Sequence, residues 1–359
     1  MEFGRRTLEA LGVTASAWRS QTVLVTGNTG FKGAWLSLWL LQLGAKVVGY
    51  SLPPPTKPSL FEALGLHGLM ETIDADVRDL ATLRAAVRRV RPAVVMHLAA
   101  QALVRAGYED PSGTYATNLL GTVNVLEAVR GAESVKAVIA VTSDKCYRNE
   151  VPRPHPEGDP LGGNDPYSDS KACAELAVAC LRRAFFSDGA IVATARAGNV
   201  IGGGDWADDR IVPDIVRACY GSQTLRLRYP DAVRPWQHVL EPLAGYLVLA
   251  ERASGGDRSV AQAWNFGPAP SRNVRVRDLV DAVVSRLGTE VAIERDDGSA
   301  PHEAAALALD SAKAERELGW RATLGFDDVV NYTGDWYRAY YAGEDVHRLT
   351  LAQLANFSR

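Results

Sequence analysis

The sequence predicts an α/β protein: a doubly wound parallel sheet followed by a smaller mixed α/β lobe toward the C-terminus. Three observations carry this. A β-branched run, Thr22 to Thr26, leads straight into Gly27-Asn28-Thr29-Gly30-Phe31-Lys32-Gly33, and then into a helical apolar pattern through Trp35, Leu36, Leu38, Trp39, Leu40 and Leu43. Short apolar runs then alternate with helical patterns as far as Arg196, as in a parallel sheet whose crossovers are helices. Beyond Arg196 the alternation loosens.

At 359 residues the chain can form one large α/β unit or two smaller ones. The expected division is an N-terminal extension over residues 1–20, a first domain over 21–196, and a lobe over 197–359 from which some segments return to the first domain. A net charge of −3 without a Lys/Arg block gives no electrostatic support for nucleic acid or a membrane surface as partner. Cys146, Cys173, Cys180 and Cys219 form no Cys-x-x-Cys pair, and no His cluster has zinc spacing, so no metal is expected. Reduced cysteines suit a reducing cytosol, and Met1 to Ser20 lacks the apolar core of a signal peptide. A cytoplasmic protein is expected. Leu8, Leu11 and Trp18 suggest a short helix packed on the first domain.

The order strand, glycine loop, helix is the dinucleotide-binding arrangement of a Rossmann-type fold. Gly27 allows the tight turn, Gly30 lets the backbone approach a pyrophosphate, and Gly33 allows close helix–strand packing. Glycines at this spacing are weak evidence alone; their place between strand and helix strengthens it. Gly27, Asn28, Thr29, Gly30, Phe31 and Lys32 are the expected cofactor contacts. A second strand, Lys46 to Ser51, ends in Gly49-Tyr50-Ser51-Leu52. It has neither the acid that often meets a ribose 2′-hydroxyl nor an arginine for a 2′-phosphate. NAD rather than NADP is the expectation. Pro53 to Pro58 is a stiff loop.

Asp76 and Val77 follow a short strand and are placed to bracket an adenine. The fourth strand, Val94 to Leu98, ends in His97-Leu98-Ala99-Ala100-Gln101. There Leu98, Ala99 and Ala100 would let a cofactor lie against the backbone, with Gln101 facing substrate. His97 reads as a packed strand histidine. Asp110 to Arg130 contains a long helix whose Asn118 falls inside the apolar pattern. Such an amide must be bonded. It is either a structural link to a neighbouring strand or part of what holds the cofactor site.

Ala137 to Val141 is a buried strand, and Thr142-Ser143-Asp144-Lys145-Cys146-Tyr147 follows it, where an open parallel sheet puts its ligands. Tyr167-Ser168-Asp169-Ser170-Lys171 opens a helix running to Phe186, with Tyr167 and Lys171 on one face. A lysine ammonium beside a phenol lowers its pKa from ~10, and such a tyrosine acts as a base. The same pair also arises by chance on solvated helices. Ile191 to Arg196 is the sixth strand. After it come Asn199, Gly202-Gly203-Gly204-Asp205, Arg210 and Arg234, residues suited to a sugar-nucleotide diphosphate between the lobes; singly, each arginine reads equally as a surface ion pair. Helices are expected from Arg210, over Glu241 to Ala253, Val276 to Leu287 and Ser311 to Leu318, with strands at Leu225 to Tyr229 and near Val291 to Glu294.

These motifs, together with Arg234-Pro235-Trp236-Gln237-His238-Val239, resemble the extended short-chain dehydrogenase/reductase family, and within it the CDP-glucose 4,6-dehydratase group. The resemblance runs from Trp18 onward. It implies an NAD-dependent internal redox cycle on CDP-glucose, with loss of water between C5 and C6. In that picture Tyr167 takes the C4 hydroxyl proton, Ser143 bonds the C4 oxygen, and Lys171 holds the nicotinamide ribose and lowers the Tyr167 pKa. Asp144 protonates the leaving C6 hydroxyl and Lys145 removes the C5 proton, which requires a raised Asp144 and a lowered Lys145. Asn28 stands where the family usually has His and can still donate to a phosphate. Substrate contacts would be Gln101, Asn199, Gly203, Asp205, Arg210 and Arg234. Apolar residues on several faces of the Asp110–Arg130 and Tyr167–Phe186 helices imply at least a homodimer. An epimerase or dehydratase acting on another nucleotide sugar stays open, as does a catalytically silent NAD-binding regulator.

Overall fold

A computed structural model describes residues 13–151, 153–221, 223–268, 274–295 and 307–358. Among these residues the main sheet has seven parallel strands: β1 (Thr22–Thr26), β2 (Lys46–Ser51), β3 (Glu71–Asp74), β4 (Val94–His97), β5 (Ala137–Val141), β6 (Ile191–Arg196) and a late strand, Ala263–Asn265, that returns to pair with β6. From that late strand the order runs β6-β5-β4-β1-β2-β3, the doubly wound pattern with its reversal between β1 and β4.

The strands alternate as buried parallel strands should. Val23 and Val25 of β1 join one core and Leu24 the other; Ala137, Ile139 and Val141 of β5 face one way, Val138 and Ala140 the other. One face is covered by α1 (Phe31–Gln42), which is buried from Gly33 to Leu40, including Trp35 and Trp39. The opposite face is covered by α2 (Leu80–Val90) and two helices met below. A short α3 (Val104–Glu109) leads into α4 (Pro111–Tyr115). A π-helical turn, Ala116–Leu120, then joins α4 to α5 (Gly121–Val129). The expected long helix is therefore continuous but carries one wide turn, at Asn118; such turns collect at functional sites. Next comes α6 (Pro166–Phe185), opened by Asp165, whose carboxylate accepts from Ser168 N at 2.9 Å.

The later elements interleave with the sheet. β7 (Val200–Ile201) precedes α7 (Ile211–Gly221), β8 (Leu225–Leu227), β9 (Val233–Arg234), β10 (Gln237–His238) and α8 (Leu240–Ser254). α8 lies in the same core as α1. After β11, the late sheet strand, come β12 (Val274–Arg275), α9 (Val276–Leu287), β13 (Ile293–Arg295) and α10 (Ala312–Leu318). Small pairs β7–β10, β9–β12 and β8–β13 shape the lobe. Two further helices, α11 (Phe326–Tyr341) and α12 (Val346–Phe357), are not foreseen by the sequence reading. Phe357 of α12 meets Trp39 of α1 edge-to-face at 5.8 Å, so α12 closes back over α1. At the other end, Thr14 and Trp18 both donate to Glu251 on α8; Leu8 and Leu11 lie outside the described residues. No helix among the described residues is long and apolar enough to cross a membrane.

Candidate active site

Two cavities open beyond the C-terminal ends of the sheet strands. The larger, about 690 Å³, is lined by Gly27, Thr29, Gly30, Phe31, Lys32, Asp76, Val77, Leu98, Ala99, Ala100, Tyr167 and Lys171 among others. The smaller, about 310 Å³, lies toward the lobe and is lined by Ser143, Asp144, Lys145, Asn199, Arg210 and Arg234. Lys32, Tyr167, Asp205 and Arg210 line both. The two cavities thus meet at the tyrosine.

The larger cavity fits a dinucleotide. Gly27 has φ +74°, and a Cβ there would stand 2.7 Å from Ala99 N; a Cβ on Gly33 would stand 2.0 Å from Gly27 O. The loop is therefore closed tightly on β4 and on itself. No side chain caps the first turn of α1, so its amides are left for an anion. Where the ribose acid is missing, Thr29 instead bonds Ser51 Oγ at 2.7 Å and Leu52 O at 2.9 Å. Asp76 is held by Arg78 at 2.6 Å, which keeps its carboxyl below the usual range.

Four sequence expectations change here. Asn28 is fully buried, but its amide donates to Thr72 Oγ1 at 3.0 Å and its side chain lies against Gly49, away from the cavity. That contact also explains why residue 49 has no side chain: a Cβ would stand 2.3 Å from Asn28 Cγ. Asn118 accepts from Gln101 N and donates to Gln101 O and Ser170 Oγ, each at 2.9 Å, so its amide is spent on structure. Gln101 faces the larger cavity, not the smaller, and its side chain bonds Thr114 Oγ1 and Leu103 N. Gly203 packs against Trp336 of α11, where a Cβ would stand 2.0 Å from the indole, and lines neither cavity.

Around Tyr167 the groups converge. Ser143 donates to Asp144 Oδ1 at 3.0 Å and stands beside the Tyr167 phenol, whose pKa it pulls down. Asn199, held at φ +50°, donates to Asp144 Oδ2 at 3.2 Å. A Cβ on Gly198 would overlap that same oxygen at 1.7 Å, so only glycine leaves room for the buried carboxylate. Arg210 is paired with Asp205 at 2.8 Å, which raises its pKa. Lys171 donates to Val141 O at 3.3 Å, and burial lowers its pKa to about 8. The expected lowering of the Tyr167 phenol by Lys171 is not what the structure gives. Burial pushes the phenol up to about 12; the Ser143 hydrogen bond and the Arg210 charge are what pull it down.

The sequence reading missed two features. Lys32 reaches the lobe-side cavity as well as the loop; burial and then Arg210 lower its pKa to about 8, against Asp144 and Asp205. Glu175, one turn beyond Lys171, is buried and paired with Arg196 at 2.7 Å; an acid inside an apolar helix face was the available signal. His97 is the packed histidine expected, bonded to Thr26 and Thr122 and kept neutral by burial with a pKa of about 3. No group of three or more His, Cys, Asp or Glu among the described residues could hold a metal ion.

A family model described as GDP-mannose 4,6 dehydratase matches residues 24–333. The chain belongs to that family. Among its relatives, CDP-glucose 4,6-dehydratase of Salmonella typhimurium (strain LT2) is 46% identical over 347 residues, covering 95% of this chain and 97% of that protein. UDP-glucose 4-epimerase of Erwinia amylovora is 28% identical over 339 residues, covering 88% and 97%. The solved structure of DesIV, a dTDP-glucose 4,6-dehydratase from Streptomyces venezuelae with NAD bound, superposes with a TM-score of 0.76 at 25% identity, covering 91% of this chain and all of that one. The seven-stranded sheet and its glycine loop are thus those of the dehydratase and epimerase group.

Proposed function

We propose that this chain is a CDP-glucose 4,6-dehydratase, a hydro-lyase that converts CDP-D-glucose to CDP-4-keto-6-deoxy-D-glucose. The observation that carries the reading is the meeting of the two cavities at Tyr167, with Ser143, Asp144 and Lys145 on the lobe side and the glycine loop on the other. A 4-epimerase leaves the C6 hydroxyl of its sugar in place, so it has no use for an acid and a base at Asp144 and Lys145.

The cofactor is NAD, held by Gly27, Thr29, Gly30, Phe31, Asp76, Val77, Leu98 to Ala100 and Lys171. When bound, it accepts the C4 hydride and returns it at C6. Tyr167 takes the C4 hydroxyl proton, while Ser143 bonds that oxygen and stabilises the phenolate. The resulting 4-ketone acidifies the C5–H; Lys145 takes that proton, Asp144 gives one to the departing C6 hydroxyl, which leaves as water, and protonated Lys145 returns a proton to C5 as the hydride reaches C6. Arg210 and Arg234 pair the substrate's diphosphate, with Asp205 and Asn199 orienting Arg210 and Asp144. In this reading residues 21–196, with the returning segments, carry the cofactor, 197–359 mainly the substrate, and 1–20 form an extension. Incubation with CDP-, dTDP-, UDP- and GDP-glucose tests the reading: CDP-glucose alone should give a product lighter by one water, and equal turnover of the other three would reject the nucleotide assignment.

The same proposal includes a homodimer. Leu120 is 56%, Leu176 59% and Phe185 49% exposed on the π-helical turn and α6, apolar side chains that a second copy would cover. Light scattering at micromolar concentration should give the mass of at least two chains; the mass of one would reject the dimer. A cytoplasmic location fits the four free cysteines.

A further inference from the structure

The helix that carries Tyr167 and Lys171 also carries a buried acid. Glu175 is 3% exposed, and a carboxylate so placed is costly unless it is paired and bonded. Its Oε1 accepts from Thr142 Oγ1 at 2.5 Å; its Oε2 accepts from Thr194 Oγ1 at 2.8 Å and from the Arg196 guanidinium at 2.7 Å. One carboxylate therefore joins α6 to the end of β5 and to β6. Thr142 immediately precedes Ser143 and Asp144. On the far side of that turn, Arg196 donates to Tyr147 OH at 2.6 Å and lies over the Tyr147 ring at 4.9 Å. The segment Ser143–Cys146 is thus anchored at both ends through the Glu175–Arg196 pair.

The groups facing Lys171 come from four elements. Glu175 shares its helix, Cys146 belongs to the turn after β5, Lys32 to α1 and His97 to β4. Burial holds the Cys146 thiol and the His97 imidazole neutral, and the Lys32 charge repels. Burial likewise opposes charge on Glu175, but Arg196, Thr142 and Thr194 keep its carboxyl below the usual range. Among the groups facing Lys171, Glu175 is the anion.

We propose that Glu175 is a positioning residue: its carboxylate fixes the helix bearing Tyr167 and Lys171 against the Ser143–Cys146 turn, and its negative charge keeps Lys171 an ammonium. The consequence for turnover rests on the dehydratase reading; the charge of Lys171 does not, and is measured without substrate. Lys171 lines the larger cavity, so acetic anhydride can reach it. Competitive acetylation across pH, read peptide by peptide by mass spectrometry, gives its titration midpoint. The wild-type midpoint should fall near 8. In Glu175→Gln it should move down by about one unit or more. In Thr194→Val, which removes a hydrogen bond to the carboxylate but no charge, it should stay in place, and in Glu175→Asp it should be largely restored. With CDP-glucose, formation of the reduced nicotinamide by Glu175→Gln should then fail first on the alkaline side, where Lys171 has lost its proton.

Glu175→Gln leaves the Arg196 cation uncompensated and can fail to fold. Glu175→Gln/Arg196→Gln removes both charges of the pair, which stand 2.7 Å apart, so a downward shift of the same sign but smaller size is expected. A midpoint unchanged in whichever of these variants folds overturns the proposal. A shifted midpoint in a protein inert toward CDP-glucose upholds the role of Glu175 and rejects the dehydratase reading instead.

Discussion

Tyr167→Phe should form neither keto product nor reduced nicotinamide when CDP-glucose is added, with the rate of C4 oxidation falling by about 10²–10⁴. The phenol stands where the two cavities meet. Burial raises its pKa to about 12, while the Ser143 hydrogen bond and Arg210 pull it down. The sign follows. A phenol raised above its ordinary value is protonated at neutral pH, so the wild-type rate of C4 oxidation should climb with pH until Lys171 begins to lose its proton near pH 8. Tyr167→Phe should lose this limb altogether. The ring is nearly isosteric, so thermal unfolding should change little. A variant that keeps the limb and near-normal rates would show that another group takes the C4 proton.

Lys145→Ala should stop the reaction halfway. C4 oxidation needs Ser143, Tyr167 and Lys171, which the substitution leaves in place. The turn should survive as well, because it is the Lys145 backbone amide, not its side chain, that donates to Ser143 Oγ at 3.2 Å. The 4-ketone and reduced nicotinamide should then accumulate together. No solvent deuterium should enter C5, and overall turnover should fall by about 10²–10⁴ for loss of a general base. Near-normal turnover with the usual deuterium at C5 would make Lys145 a bystander.

The sheet was legible in the sequence because its strands are buried on both faces. Thr22–Thr26, Lys46–Ser51, Ala137–Val141 and Ile191–Arg196 have the bounds that their apolar, β-branched runs predict. The turn after β5 follows where that strand ends, and α6 starts one residue before the expected Tyr167 and ends one before Phe186. What spacing does not contain is the direction of a side chain. Asn28 sits in the loop as expected but turns toward Thr72; Gln101 ends β4 as expected but is held by Asn118 and Thr114. Gly203 was read with its neighbours as a phosphate cradle. Its glycine is needed instead by Trp336, on a helix whose apolar stripe is broken by Asn331, Thr333 and Gly334 and which the sequence alone did not reveal. Burial could not be read either, and so the Tyr167 phenol is pushed up where its lysine neighbour predicted the reverse.

The central claim is that one sugar is oxidised at C4, loses water, and is reduced again at C6 in a single active site. CDP-glucose carrying deuterium at C4 tests it most directly, with product analysed by mass spectrometry and NMR. The account predicts a product lighter by one water with the deuterium at C6 of the same molecule, and no net accumulation of reduced nicotinamide. Deuterium left at C4 of an inverted sugar, or released to the nicotinamide pool with reduced cofactor accumulating in step with substrate consumed, would contradict it.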